Sequence, residues 1–130
     1  MDAIIIPCTE EKIWRTNPAA GAVQAKDAYT RDDFRVWRQH AEQSGGPWFI
    51  LSTCYRLIAP ETPIEKYNIP VSRAVNDPKF LEKLKRQGQE LQLGKFEHVI
   101  LLDWRRFEPL VRAALADQCQ FQLRRLLYHD

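Results

Sequence analysis

The sequence predicts an α/β domain built around a mainly parallel central sheet, in either a three-layer or a two-layer arrangement. Three short apolar runs, at residues 3–6, 48–51 and 98–102, have the continuous hydrophobic character of inner strands that are covered on both faces. Amphipathic stretches with helical spacing lie between and after these runs. Such alternation of strands and helices is typical of parallel sheets joined by right-handed crossovers.

The first half of the chain contains two predicted strands, a long connection and one helix. After the first strand, residues 8–30 show no sustained period, and a connection of that length is usually either functional or disordered. Thr30 is the expected N-cap of the helix that follows, and two aspartates favour the positive end of its dipole. Glycine and proline at residues 44–47 end this helix before the central strand. The apolar face of the helix is predicted to comprise Phe34, Trp37 and Ala41.

The second half begins with residues 59–70, where three prolines forbid a regular helix and favour an extended path across the ends of the strands. Asn76 or Asp77 is expected to cap a second helix that has Pro78 at its first position. After the third strand, a third helix has an apolar face with Pro109 in its first turn. The tail, residues 119–130, fits a helix or an edge strand.

Composition points to one soluble domain, residues 1–130. At 15.3 kDa the chain can bury about two-thirds of the surface that its unfolded form exposes. No apolar run approaches the roughly 20 residues that span a bilayer, and the start lacks the features of a secretory signal, so we expect a cytoplasmic protein with no membrane partner. Three widely separated cysteines indicate reduced thiols, and the net charge of +2 permits nucleic-acid binding without requiring it.

Polar residues follow each apolar run, and the carboxyl ends of parallel strands share one edge of the sheet, where ligands bind in open α/β folds. After the first run, Cys8, Thr9 and Lys12 form a turn suited to holding an anion such as a phosphate. The turn lacks the glycine-rich pattern of a P-loop. Cys8 fits a small buried hydrophobic residue equally well.

Other polar residues have both a functional and a structural interpretation. Asp27 and Tyr29 precede the first helix, where a cap and a packed ring are the commoner roles. A restrained carboxylate such as Glu65 could act as a general base or stabilise charge, although surface glutamates are usually only solvated. The arginine pairs at 105–106 and 124–125 could touch phosphates but are more often a solvated face. The histidines have no metal-ligand spacing.

Four blocks of sequence, in order, resemble a family of small prokaryotic and phage domains of uncharacterised function. They are Pro-Cys-Thr-x-x-Lys (7 to 12), Ala-Lys-Asp-Ala-Tyr-Thr (25 to 30), Trp-Phe-Ile-Leu-Ser-x-x-Tyr-x-Leu (48 to 57) and Ile-Glu-Lys-Tyr (64 to 67). The first block is also similar to part of archaeosine synthase, in a domain that resembles the uracil-DNA glycosylase fold. This second resemblance implies a three-layer, uracil-DNA-glycosylase-like domain that handles a base. The residues carried over by the resemblance are Cys8, Thr9, Lys12, Asp27, Tyr29, Ser52, Tyr55, Glu65 and Tyr67.

The sequence departs from the family pattern at two positions of the central block. Arg56 stands where the family has glycine, so either the backbone there has no positive φ or the turn is rebuilt. Cys54 stands where the family usually has lysine, which removes one cation. The carboxyl-terminal segment also lacks the family's glycine-rich helix start.

The resemblance and the residues together predict a hydrolase that cleaves the N-glycosidic bond of a base in DNA or a nucleotide, and a modified base is the expected substrate. Asp27 or Glu65 would stabilise the oxocarbenium-like state, and no metal or cofactor is needed. Ser52 and Thr9 would bind base edges. The remaining predicted roles are stacking by Tyr29, Tyr55 or Tyr67 and phosphate binding by Lys12 and Arg56.

Two other functions remain open at this point. A related variant transfers the deoxyribosyl group to another base through a covalent carboxylate intermediate. A different class is a non-catalytic module that binds nucleic acid or a nucleotide, or a small phage protein that binds a host partner.

Overall fold

A computed structural model describes residues 1–103 and 105–125. The strands are, in chain order, β1 (Ala3–Pro7), β2 (Val23–Gln24), β3 (Trp48–Ser52), β4 (Arg56–Ile58), β5 (Pro63–Ile64), β6 (Val99–Leu102) and β7 (Phe121–Arg124). The α-helices are α1 (Ile13–Thr16), α2 (Ala25–Ala28), α3 (Asp32–Gln43), α4 (Val71–Val75), α5 (Pro78–Glu90) and α6 (Glu108–Leu115). A short 3₁₀ helix spans Leu93–Lys95.

The predicted α/β class with a mainly parallel sheet is confirmed. Five strands form one sheet in the order β4-β3-β1-β6-β7, in which only the β3–β4 pair is antiparallel. In the register of the sheet, Ile5 of β1 lies opposite Phe49 of β3 on one side and Leu101 of β6 on the other. The first and third predicted strands are therefore neighbours, although almost the whole chain lies between them.

The central strands are covered on both faces. Every residue of β1 and of β6 is buried. Because successive side chains of a strand point to opposite faces, unbroken burial requires packing on both sides of the sheet. On these faces α3 contacts β1, while α5 packs against β4 and α6.

Helix α3 begins as its charges suggest, but its predicted cap is wrong. The N-cap position is Arg31, not Thr30, and the first-turn carboxylate of Asp33 accepts a hydrogen bond of 2.9 Å from the Phe34 amide. The acidic side chain inside the first turn thus satisfies a free amide that a capping threonine would otherwise bind. The apolar face is confirmed, since Phe34, Trp37 and Ala41 are buried.

Helix α5 is capped as predicted. The side chain of Asp77 accepts a hydrogen bond of 2.9 Å from the Lys79 amide, and Pro78 occupies the first position. Gly88 allows a close approach, because a Cβ there would lie 2.7 Å from the side chain of Leu115 in α6. The contact between the two helices explains why the helix has glycine in its last turns.

The long connections are more ordered than the sequence indicates. Residues 8–30 contain α1, β2 and α2, and β2 pairs with β5 of the proline-rich segment. These elements are two to four residues long, so they are too short to produce a periodic pattern. The central stretch is also a strand followed by the antiparallel strand β4.

Within the described residues, the tail adopts the edge strand, which is one of its two predicted alternatives. Phe121–Arg124 forms the edge strand β7, parallel to β6. Residues 126–130, which would complete the alternative helix, lie outside the described residues. Among the helices described, none has the length and apolar character to cross a membrane.

The strand order creates a topological switch point. From β1 the chain moves to β3 on one side of the sheet, and later it crosses to β6 on the other side of β1. In open α/β sheets the connections on either side of such a point diverge and leave a crevice at the carboxyl ends of the two strands. Here that crevice lies beyond β1 and β6.

Candidate functional site

A cavity of about 470 Å³ occupies the crevice at the switch point. It is called here the switch-point cavity. Three groups of residues line it: Pro7, Cys8 and Thr9 after β1; Arg31, Asp33 and Trp37 of the α3 region; and Asp103, Arg105, Arg106 and Phe107 after β6. Two of the three polar strand ends predicted to form one site therefore meet here.

Asp103 stands out in this cavity because of its backbone. Its φ is +44°, in the left-handed region, where aspartate and asparagine are tolerated better than most residues. Its amide donates a hydrogen bond of 3.1 Å to the Arg124 carbonyl, which anchors the strained residue to the edge strand. No described residue forms a hydrogen bond or ion pair with its carboxylate. Left-handed non-glycine residues cluster at functional sites.

Arginines give the switch-point cavity an excess of positive charge. Three guanidinium groups and two carboxylates line it. Arg31 forms an ion pair of 3.1 Å with Asp33, and Arg106 forms one of 3.3 Å with Glu10. Among the described residues, Asp103 and Arg105 are the charged groups of this lining that have no ion pair. Such a lining suits a ligand with an anionic group, and the apolar side chains of Trp37 and Phe107, which are 4% and 1% exposed, form part of its wall.

A second cavity, of about 110 Å³, adjoins the first and shares Cys8, Thr9 and Arg106 with it. It is called here the lysine cavity. Its other polar walls are Glu10, Lys12 and Thr53, and residues 68–71 complete it. The two cavities together form one trough over the end of β1.

A hydrogen-bonded cluster, called here the tyrosine network, lies behind the lysine cavity and consists of Tyr29, Ser52 and Tyr67. The two phenol oxygens are 2.6 Å apart, and the Ser52 hydroxyl donates to Tyr67 at 3.0 Å. The same serine oxygen accepts from the amides of Cys54 and Tyr55 at 3.1 and 3.0 Å. Burial raises the pKa of both tyrosines far above the usual range, so both are neutral phenols.

Lys12 is held against this network. Its Nζ lies 4.6 Å from the centre of the Tyr67 ring and donates a hydrogen bond of 3.2 Å to the Glu10 carbonyl. Burial lowers the pKa of Lys12, while Cys8 and Glu10 oppose that shift. The ammonium is therefore partly dehydrated, and it lies at the wall of the lysine cavity.

Cys8 lies between the two cavities. Burial raises the pKa of its thiol, and the smaller opposing effects of Thr53, Tyr67 and Lys12 do not offset this. The sulfur is therefore a neutral thiol at pH 7, which is a poor nucleophile. Both interpretations of Cys8 hold in part, because it is buried and also lines the site.

The two predicted catalytic carboxylates lie elsewhere among the described residues. Asp27 is exposed and forms an ion pair of 3.1 Å with Arg38. Glu65 is exposed, and its backbone amide donates to the Tyr55 hydroxyl at 3.0 Å. Neither residue lines the switch-point cavity or the lysine cavity. Their catalytic roles stay predictions.

The other predicted binding residues fall into three groups: those that line the trough, those that are enclosed, and the partly buried pair Tyr55 and Tyr67. Cys8, Thr9 and Lys12 line the trough. Ser52 and Tyr29 are fully enclosed, with exposures of 0% and 3%, so a ligand cannot reach them without a rearrangement. Tyr55 contacts Tyr67 edge to face, with ring centres 5.7 Å apart.

Arg56 shows why the family pattern has glycine at its position. Its φ is +63°, so of the two alternatives the one without a positive φ is wrong. The Nε atom of this arginine is buried and forms no hydrogen bond with any described residue. The turn keeps the glycine conformation with a side chain that strains it.

Sequence analysis missed most of the lining of the switch-point cavity. Asp103 directly follows the third apolar run, and the sequence assigns no role to it. The pair Arg105 and Arg106 was open to two interpretations, a phosphate contact and the commoner solvated face. Asp33 was interpreted as a helix-dipole charge and Trp37 as core. The topology of the sheet was the missing information, because only the order of strands identifies which strand ends enclose a crevice. Within the described residues, no three His, Cys, Asp or Glu side chains are placed to hold a metal ion.

Comparison with known proteins confirms the predicted relationship to a family of uncharacterised domains. The uncharacterised protein YfjM of Bacillus subtilis (strain 168) is 27% identical over 115 residues, which cover 87% of this chain and 76% of that protein. No solved structure matches the chain, so the similarity to uracil-DNA glycosylase stays a prediction. A family model covers residues 4–124, which include both cavities and the tyrosine network. The chain thus belongs to the family of unknown function DUF6884.

Proposed function

We propose that the protein hydrolyses the N-glycosidic bond of a base, in a nucleotide or in DNA, and that the base and its sugar bind in the switch-point cavity. The observation that carries this proposal is the combination of guanidinium groups, apolar walls and one carboxylate without a described partner in a single cavity. Its volume falls within the range of about 300–1,000 Å³ that is typical of small-molecule sites.

The chemistry of the bond fits these groups. When the C1′–N bond breaks, its electron pair leaves with the base and positive charge develops on the sugar. A carboxylate stabilises that charge and orients the water whose oxygen bonds to C1′. In the overall balance, the proton that this water loses goes to the departing base. The guanidinium group of Arg105, after β6, can hold the negative charge that grows on the departing base.

Asp103 is the carboxylate that the geometry favours. Asp33 already accepts from its own helix and pairs with Arg31, so it is committed to structure. Asp27 is paired with Arg38 outside the two cavities. Asp103 combines a place in the cavity with a fixed backbone, which are the two requirements of a preorganised group.

The expected three-layer, uracil-DNA-glycosylase-like architecture belongs to the same proposal. It is supported by the sheet covered on both faces and by a cavity at the carboxyl ends of its strands.

The test is release of free base, detected by mass spectrometry, from a panel of DNAs and nucleotides that carry normal and modified bases. Asp103→Asn is compared with Asp27→Asn and Glu65→Gln, which are matched losses of one carboxylate charge. The proposal would be supported if the wild type releases base and only Asp103→Asn abolishes that release. Binding of nucleotide or DNA without release from any substrate would instead indicate a binding module.

A further inference from the structure

The lysine cavity contains a buried charge with no counterion among the described residues. Lys12 is 9% exposed, and among the described residues its Nζ hydrogen bonds to a carbonyl oxygen and lies over an aromatic ring, with no carboxylate in ion-pair distance. The carboxylate that lines the same cavity, Glu10, is bound at 3.3 Å by Arg106 instead. A buried ammonium without an anionic partner is costly, because neither a carbonyl dipole nor a ring face replaces the lost hydration in full.

The groups around this cavity are suited to an anion. Two cations and one carboxylate give it a net charge of +1 at neutral pH. The volume is about a quarter of that of the switch-point cavity, which is small for a nucleobase but suitable for a single tetrahedral oxyanion. Thr53, which is buried in the wall, adds a hydroxyl donor.

We propose that the lysine cavity is a phosphate subsite, in which Lys12 and Arg106 bind the phosphate group of the molecule whose base lies in the switch-point cavity. This proposal rests on the proposed function for the identity of the part of the ligand that carries the base. The binding of an anion in the lysine cavity does not depend on that function. The two cavities share Cys8, Thr9 and Arg106, so one ligand can extend through both. A phosphorylated nucleoside or a nucleotide unit of DNA supplies both parts, and an unphosphorylated nucleoside lacks the anion.

The tyrosine network gains a role from this arrangement. The ring of Tyr67 lies beside the ammonium, and its hydroxyl is fixed by Ser52 and Tyr29. The network is therefore the support that positions Lys12, and none of its members needs to touch the ligand. Glu10 competes with the ligand for Arg106, so its removal is expected to favour binding.

The test measures binding of inorganic phosphate to the full chain by calorimetry, at constant ionic strength set with potassium chloride. Lys12→Met is expected to weaken phosphate binding about tenfold or more, because it removes a charge-assisted hydrogen bond. Glu10→Gln is expected to tighten binding several-fold, since it frees Arg106 and raises the local charge. Lys12→Met is also expected to be no less stable than the wild type, because a costly buried charge is removed.

Equal dissociation constants for the wild type, Lys12→Met and Glu10→Gln would overturn the subsite, as would absence of phosphate binding by the wild type. The Glu10→Gln result keeps the test decisive if Lys12→Met fails to fold. Two ligands distinguish the sources of phosphate: a deoxynucleoside 5′-monophosphate and an oligonucleotide without terminal phosphates. The ligand that loses affinity in Lys12→Met is the one whose phosphate uses this subsite. Phosphate binding without base release would overturn only the proposed hydrolysis, and hydrolysis of a nucleoside without phosphate binding would overturn only the subsite.

Discussion

The tyrosine network and the switch-point cavity lie at the same edge of the sheet but have opposite physical characters. In the network, the polar atoms of Tyr29, Ser52 and Tyr67 bind one another, and Tyr29 and Ser52 are buried while Tyr67 is partly buried. In the cavity, Arg105 is exposed and, like Asp103, has no described partner, whereas Arg106 is exposed but paired with Glu10. The hydrogen-bonding groups of the network are paired within the folded chain, whereas some of those in the cavity are left to bind a ligand.

The difference teaches how to interpret polar residues at strand ends. A buried hydroxyl with a satisfied hydrogen bond contributes to stability and rigidity, whereas an exposed charge beside a crevice contributes little to stability and is free to bind. Changes in the network should therefore alter unfolding, and changes in the cavity should alter activity with the fold intact. Four predictions test that division.

The largest effect is expected for Asp103→Asn. In single-turnover release of base, the rate should fall by about 10² to 10³, because one preorganised charge opposite the developing cation is lost. Asparagine tolerates the left-handed conformation as aspartate does, so the melting temperature should stay the same. A variant that keeps half of the wild-type rate would remove Asp103 from the mechanism.

Tyr67→Phe should lower the free energy of unfolding by about 1–3 kcal/mol, because the Ser52 and Tyr29 hydroxyls lose a buried partner. Phosphate affinity should change less than twofold, since the ring beside Lys12 remains. Urea unfolding measures the first quantity and calorimetry the second. The matched control is Tyr55→Phe, which removes a more exposed hydroxyl and should cost less. Equal stability of Tyr67→Phe and the wild type would contradict a structural role for the network.

Stability should fall in alkaline solution. Burial raises the pKa of Tyr29, Tyr67 and the Cys8 thiol above their unfolded values of about 10, 10 and 9. The folded state therefore holds protons that the unfolded state releases, so this stability is complete below pH 9 and is lost as the pH rises towards the folded pKa values. Each group contributes a slope of about 1.4 kcal/mol per pH unit above its unfolded pKa.

Urea unfolding between pH 8 and pH 11 measures that slope. Tyr29→Phe removes one of the three groups and should reduce the slope, whatever its effect on stability at pH 8. A stability that is constant across this interval would show that the phenols are not enclosed.

Arg56→Gly should give the smallest effect and the opposite sign. Glycine relieves the strain of a left-handed residue, which costs about 1–2 kcal/mol, but adds entropy to the unfolded chain. The net result should be a gain of about 0.5–1 kcal/mol in the free energy of unfolding. Arg56→Ala is the control, because it removes the side chain without relieving the backbone, and it should not be stabilising by this route. A glycine variant less stable than the alanine variant would contradict the strain assigned to this position.

Some elements could be predicted because their signals are local. The apolar run at β1 and the Asp77-Pro78 start of α5 depend on neighbouring residues and were predicted correctly. The β2–β5 pair depends on residues about 40 positions apart in two short segments, and no local pattern marks it. The start of α3 was missed by one residue because Asp33, inside the helix, binds the amide that a cap would bind.

The sequence by itself determined the α/β class, the burial of the central strands and the membership of a family, because hydrophobic periodicity and motif order are properties of contiguous residues. It also placed Cys8, Thr9 and Lys12 at the end of the first strand. Only the tertiary structure decided that β6 crosses to the far side of β1 and brings Asp103 and its arginines against that turn. The reason is physical: a crevice exists only between elements that diverge in space, and strand order is fixed by packing of the whole chain rather than by any single segment.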